Sequence, residues 1–205
     1  MTAYIWDLDG TLLDSYDMIV EAACGAAERA GIQDGHAAVL KIVKQSSVRS
    51  YLNEVSERTG ITYDTLRSEY QRRADELDDR IPLMEGAWEV LERLRKAGAE
   101  HFVYTHRGGA SSKRILKRLD IYDFFTETVT ADNGFAPKPS GEGVSYLLDR
   151  YNLSKADSWY VGDRLLDMQC AGNAGIGAIL YRPDETMIPL SGYEDRVIHT
   201  FAELA

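Results

Sequence analysis

The chain is predicted to be an α/β protein, a parallel sheet with helices on both faces, interrupted after its first strand by a block of helices. Three features lead there. From residue 82 onward, short apolar runs alternate with helical stretches, the pattern of a parallel sheet whose strands are joined by crossover helices of about 10–15 residues. The first apolar run, which begins at Ala3, breaks into a turn at Asp9-Gly10-Thr11. Residues 15–81 carry helical spacing and no strand pattern, far more chain than a single crossover requires.

Taken in order, residues 3–8 read as a buried strand. Met18, Ala22, Ala26 and Ala30 then recur at helical spacing, with Gly31 as the stop. Residues 39–43, 48–55 and 66–77 read as further helices, the last with a charged face (Arg67, Glu69, Arg72, Arg73, Asp75, Glu76) expected to be solvated. In the second part, helices are expected at 88–97, 111–119, 143–151 and 166–174. Strands are expected at 102–105, 128–130, 159–161 and 176–181. The division is therefore an α/β unit made of 1–14 and 82–205, and a helical unit at 15–81.

A formal net charge of −10 over 205 residues makes nucleic acid a poor partner, because such a surface repels phosphate backbones. A phosphate binder of this charge must gather its positive groups in one pocket. No apolar stretch approaches the roughly 18–20 residues that span a bilayer, and the apolar run before Asp7 is too short for a signal-peptide core. Two cysteines, Cys24 and Cys170, read as reduced thiols. A cytoplasmic protein is expected. His36, His101 and His199 show no metal-ligand spacing.

Four polar clusters follow predicted strands or sit in loops, and a parallel sheet brings such positions to one edge. In Asp7-Leu8-Asp9-Gly10-Thr11, residues two apart in a strand point the same way. Two carboxylates that close need a cation or a proton to relieve them, and a hard divalent cation suits oxygen ligands. Gly10 permits the tight turn. Thr105 ends the second strand, with the Gly108-Gly109 amides beyond it as possible phosphate contacts. Lys138 lies between Pro137 and Pro139, which fix its direction. A lone loop lysine is ordinarily solvated, but here an ammonium could neutralise nucleophile and phosphate together. In Gly162-Asp163-Arg164-Leu165-Leu166-Asp167 the two acids stand one helical turn apart.

The set, in this order, resembles the haloacid dehalogenase superfamily over essentially the whole chain, most closely its phosphoglycolate-phosphatase and β-phosphoglucomutase branch. Asp7-x-Asp9-Gly10-Thr11, Thr105, Lys138 and Gly162-Asp163-x-x-x-Asp167 match its four motifs, and Pro82 to Gly86 looks like the return from cap to core. The resemblance implies a Rossmann-like parallel-sheet core with an inserted α-helical cap, and a Mg²⁺-dependent phosphatase of small phosphorylated metabolites. It implies Asp7 as nucleophile, forming an aspartyl-phosphate, and Asp9 as general acid and base. The implied metal set is Asp7, the Asp9 carbonyl and Asp163, with Asp167 in support. Gly10, Thr105, the His106 amide and Lys138 would bind phosphate. His106-Arg107 stands where many relatives carry asparagine, and the Lys138 loop lacks a further proline common in the family.

Alternatives within the resemblance are a sugar-phosphate mutase, a phosphonate hydrolase using Lys41 or Lys44, a dehalogenase (which Asp9 argues against), and a non-catalytic phospho-ligand binder. The intact acid set disfavours the last. Substrate contacts are expected from the cap, with Arg49 holding a second anionic group. Neither the substrate nor the oligomeric state is legible.

Overall fold

The first strand, β1 (Ala3–Trp6), buries all four of its side chains, as a strand covered on both faces must. It was identified in a computed structural model of the protein, which describes residues 2–184 and 189–204. The helices α1 (Tyr16–Arg29), α2 (His36–Gln45), α3 (Val48–Thr59) and α4 (Tyr63–Leu77) follow. Then come α5 (Ala87–Lys96), β2 (Glu100–Tyr104), α6 (Gly109–Arg118), β3 (Phe125–Val129), α7 (Glu142–Tyr151), β4 (Ser158–Gly162), α8 (Leu165–Ala174), β5 (Gly177–Tyr181) and β6 (Arg196–Ile198). The chain forms two compact units, one of Met1–Asp14 with Pro82–Ala205, the other of Ser15–Ile81.

In the larger unit the strands lie in the order β3-β2-β1-β4-β5-β6, and every neighbouring pair is parallel. The order reverses between β1 and β4, which opens a crevice at their carboxyl ends, where such sheets bind ligands. One face of the sheet carries Ile5, Phe102, Val129 and Tyr160 into a core completed by Val144 and Leu147 of α7 and Met168 and Ala171 of α8. On the other face Trp6 donates from Nε1 to His101 Nδ1 at 3.0 Å and meets Phe201 edge-on. His101 Nε2 lies 3.1 Å from the Leu91 carbonyl, so the ring is a neutral Nε2–H tautomer. Burial pushes its pKa down to about 4.

β1 is two residues shorter than the sequence suggests. The Leu8 carbonyl accepts from both Thr11 and Leu13, and Gly10 sits at φ +84°, so the chain turns immediately after Asp7. Leu8, Leu12 and Leu13 are buried despite lying in this turn, so the apolar run continues past the end of the strand. The return segment is tied to the outgoing one: Asp14 N–H donates to Pro82 O at 3.1 Å and Met84 N–H to Leu12 O at 2.9 Å. β6 was not anticipated. It has three residues at the sheet edge, too few to show alternation.

The helical unit buries Val20, Ala23 and Ala27 of α1, Val39 and Val43 of α2, Tyr51 and Leu52 of α3, and Leu66 of α4. The charged face of α4 is not simply solvated. Glu69 accepts from both Arg72 and Arg73, and the Arg73 side chain crosses Gly25 of α1 so closely that a Cβ there would lie 2.4 Å from it.

Candidate active site

Asp7, Thr105 and Asp163 each follow the last residue of a parallel strand, β1, β2 and β4. Asp7 continues the ladder for one bond, its N–H donating to Val161 O at 2.9 Å, and then faces the crevice between β1 and β4. Asp7, Asp163 and Asp167 each offer a carboxylate oxygen, and these atoms all lie within 4.8 Å of one another. All three residues are buried.

Lys138 stands among them. Its Nζ donates to Asp7 Oδ1 at 2.6 Å, to Asp167 Oδ1 at 2.7 Å and to the Tyr160 hydroxyl at 3.0 Å. An ammonium has three protons, and all three are placed. The Lys138 side chain is 0% exposed, the opposite of an ordinary loop lysine. Its loop is held by three contacts: Lys138 N–H to His106 Nε2 (2.8 Å), Asn173 Nδ2 to Pro139 O (2.8 Å) and Cys170 Sγ to Ser140 O (3.1 Å). Burial works against the ammonium, but the Asp167 and Asp7 carboxylates more than offset it and hold its pKa above the ordinary lysine value. Burial likewise pushes Asp7 up, to about 6, against the pull of Lys138.

Asp167 is fully committed among these groups. Its second oxygen, Oδ2, accepts the Arg164 N–H at 3.1 Å at the start of α8, a side-chain cap on a helix N-terminus. Gly162 makes room for this: a Cβ there would lie 2.4 Å from Asp167 Cβ.

Asp9 turns elsewhere. Its carboxylate is gripped by Arg107, from Nη2 to Oδ1 at 2.6 Å and from Nε to both oxygens at 3.2 Å. Arg107 Nη1 also donates to Ser111 Oγ at 3.0 Å. Thr105 Oγ1 accepts the Arg107 N–H at 3.1 Å, a turn that sets the arginine's direction. The His106 ring is partly open to solvent, and its Nε2 accepts from Lys138, so it is neutral. Desolvation by the loop, with the Lys138 and Arg164 charges, pushes it down to about 4.

Two backbone amides near the site are already engaged. The Gly10 N–H donates to Leu13 O at 2.8 Å, at the left-handed turn that Gly10 supplies. The Gly109 N–H donates to Asp132 Oδ2 at 2.7 Å, so that amide is likewise taken. Arg49 belongs to the helical unit, where its guanidinium lies 5.2 Å over the Tyr63 ring. Lys44 lies 4.7 Å over the Tyr16 ring.

Tyr160 was not foreseen. Its hydroxyl accepts from Lys138 and donates to Tyr104 O at 2.7 Å. A tyrosine inside an otherwise apolar buried strand is a usable signal, since its hydroxyl must find partners.

The donor set fits a hard divalent cation. Asp7 Oδ2 is buried and makes no hydrogen bond among the described residues, and an orphaned carboxylate oxygen is what a cation would satisfy. Asp163 brings a second carboxylate to the same place.

Comparison with known proteins agrees with this geometry. The sequence profile described as haloacid dehalogenase-like hydrolase matches residues 4–181. A pyrophosphatase PpaX of Bacillus velezensis is 27% identical over 176 residues, covering 85% of this chain and 80% of the relative. A phosphoglycolate phosphatase of Rhodobacter capsulatus is 26% identical over 208 residues, covering 98% and 94%. Among solved structures, a haloacid dehalogenase-like family hydrolase from Streptococcus pneumoniae superimposes with a TM-score of 0.80 at 21% identity, covering 100% of this chain and 96% of the other, a likeness of fold.

Proposed function

Given that the chain belongs to the haloacid dehalogenase-like hydrolases, we propose that it is a Mg²⁺-dependent phosphatase that cleaves small phosphorylated metabolites through an aspartyl-phosphate on Asp7. The observation that carries this is the asymmetry of Asp7. Lys138 pins Oδ1 at 2.6 Å, while Oδ2 is buried and makes no hydrogen bond among the described residues. A carboxylate held in one orientation by its ammonium, with its other oxygen left for a cation, suits an aspartyl nucleophile.

Asp7 attacks phosphorus, and the bond from phosphorus to the leaving oxygen breaks. Asp9 gives its proton to that oxygen, then takes one from the water that cleaves the aspartyl-phosphate. The Thr105 hydroxyl and the His106 amide hold phosphoryl oxygens. Lys138 keeps Asp7 ionised at neutral pH and screens the incoming phosphate, with Tyr160 and Asp167 holding it in place. Asp7, the Asp9 carbonyl and Asp163 would hold Mg²⁺, which supplies charge neutralisation between nucleophile and phosphate. The helical unit, residues 15–81, acts as a cap that encloses the substrate, with Arg49 as one contact. Names of relatives point to substrates such as phosphoglycolate and pyrophosphate. A cytoplasmic location goes with this reading.

The test is phosphate release from a panel of phosphorylated metabolites, with and without Mg²⁺, for wild type and Asp7→Asn. Magnesium-dependent turnover that vanishes in the variant supports the reading; undiminished turnover in Asp7→Asn sinks it.

A further inference from the structure

Pro137 and Pro139 have no backbone N–H, so the amide of Lys138 is the single main-chain donor of this stretch. It donates to His106 Nε2 at 2.8 Å. The other ties of the loop act on its flanks and carbonyls. Ala136 N–H donates to Glu142 Oε2 at 2.9 Å, and the Tyr104 hydroxyl donates to Ala136 O at 3.1 Å. Asn173 and Cys170 hold the Pro139 and Ser140 carbonyls. Among the described residues, His106 alone takes hold of the backbone of Lys138, a residue that is itself buried. His106 is set in turn by the end of β2. It follows Thr105, whose N–H donates to Val129 O at 3.0 Å and whose Oγ1 accepts from the Arg107 N–H at 3.1 Å.

We infer that the His106 ring is a positioning residue for the reaction: it accepts the Lys138 N–H and so fixes the point from which Nζ reaches Asp7 Oδ1. The inference rests on the phosphatase reading and adds to it a tie between the phosphate seat and the counter-charge of the nucleophile. A lysine carries its charge on a flexible four-carbon stem. Asp7, Asp167 and Tyr160 hold the head of that stem, and His106 holds its root. With both ends held, the ammonium is in place before any substrate arrives, and a small misplacement of such a group is costly to the rate. The ring can do this only as the neutral form with its proton on Nδ1, which leaves Nε2 as the acceptor. Without that acceptor the Lys138 N–H is left unpaired in a buried place, so the loop must shift to satisfy it, and Nζ shifts with it. The Thr105 hydroxyl and the His106 amide are not altered by the loss of the ring, so binding of the phosphoryl group should persist while the chemical step slows.

The test is steady-state kinetics with 2-phosphoglycolate, pyrophosphate and 4-nitrophenyl phosphate, at a temperature where circular dichroism shows the variants folded. His106→Leu fills the space and removes the acceptor. Its kcat should fall about 30-fold, the scale of one unpaired buried donor, with KM within about threefold of wild type. His106→Gln should recover most of the loss, because its amide oxygen reaches the place of Nε2. His106→Asn should not, because its shorter amide reaches only the place of Nδ1. His101→Gln, which disturbs the other face of the sheet, is the control for lost stability and should keep the wild-type kcat. An unmoved kcat in His106→Leu overturns the inference. So does a raised KM with kcat held, which would make the ring a substrate contact, and so does a His106→Gln as slow as His106→Leu. If His106→Leu does not fold, the two amide variants decide, and equal rates in both overturn the inference. These outcomes leave the phosphatase reading standing as long as turnover is lost in Asp7→Asn. Absence of phosphate release from every compound removes that reading and this inference together.

Discussion

Lys138 Nζ lies 2.6 Å from Asp7 Oδ1, with the lysine side chain 0% exposed and the aspartate side chain 2%. A second carboxylate, Asp167, lies 2.7 Å from the same ammonium. One ammonium therefore stands between two carboxylates, with all three side chains almost fully buried. Removing one partner of a buried pair costs far more than the pair contributes, because an uncompensated charge stays behind.

Lys138→Met should accordingly lower stability by about 3–5 kcal/mol and abolish turnover. Urea unfolding at neutral pH checks the first part. A loss below about 1 kcal/mol, the range of an exposed pair, would show that the ammonium is not the counter-charge described. Tyr160→Phe keeps the ring but removes a hydroxyl that both accepts from Lys138 and donates to Tyr104 O. It should have a milder effect, about 1–2 kcal/mol.

Gly162→Ala tests the seat of Asp167. The added Cβ would fall 2.4 Å from Asp167 Cβ and 2.5 Å from its Cγ, so the acid must shift away from Lys138 and from the Arg164 N–H. Overpacking of this kind costs about 1–3 kcal/mol, and kcat should fall with it. A variant with wild-type kcat and stability would mean that Asp167 can move without consequence for the site.

Much of this arrangement is legible in the sequence, and the residues show why. Asp7, Thr105 and Asp163 are found because each directly follows an apolar run, and a parallel sheet sends all such positions to one edge. Lys138 is found only through its company, since nothing in a Pro-Lys-Pro loop says that the lysine is buried. Tyr160 and Arg107 are missed for different reasons. Tyr160 acts from inside a strand, where the apolar pattern hides it. Arg107 acts through a bidentate grip on Asp9, a residue 98 positions away, and no local spacing encodes that. The three-residue β6 is too short to carry any period.

His101 gives the fold a pH dependence away from the carboxylate cluster. Its ring accepts from Trp6 Nε1 and donates to the Leu91 carbonyl, and burial holds its pKa near about 4. The unfolded chain has an ordinary histidine, near about 6.5. Between those values the unfolded state binds the extra proton, so stability rises with pH. The contribution is complete above about pH 6.5 and is lost as pH falls toward 4, by at most about 3 kcal/mol. Urea unfolding of wild type and His101→Gln at pH 7 and 4.5 reads this directly. The stability difference between the two proteins should narrow at the lower pH; a difference independent of pH would assign the acid sensitivity to other groups.

Metal binding should be visible without any turnover. A cation bound only by the folded state stabilises it by mass action, about 2.7 kcal/mol at a concentration of 100 times Kd. For a chain of this size that is a rise in Tm of roughly 5–10 °C. Wild type should show this on addition of Mg²⁺ and lose it with a chelator. Asp163→Asn and Asp7→Asn should each show a much smaller rise, every protein being compared with its own metal-free form because Asp7→Asn also alters the pairing of Lys138. Lys155→Ala, in the short turn before β4 and outside the carboxylate cluster, serves as a control and should respond as wild type does. A Mg²⁺-induced rise that survives in both aspartate variants would place the cation elsewhere, and the orphaned Asp7 Oδ2 would then need a different partner.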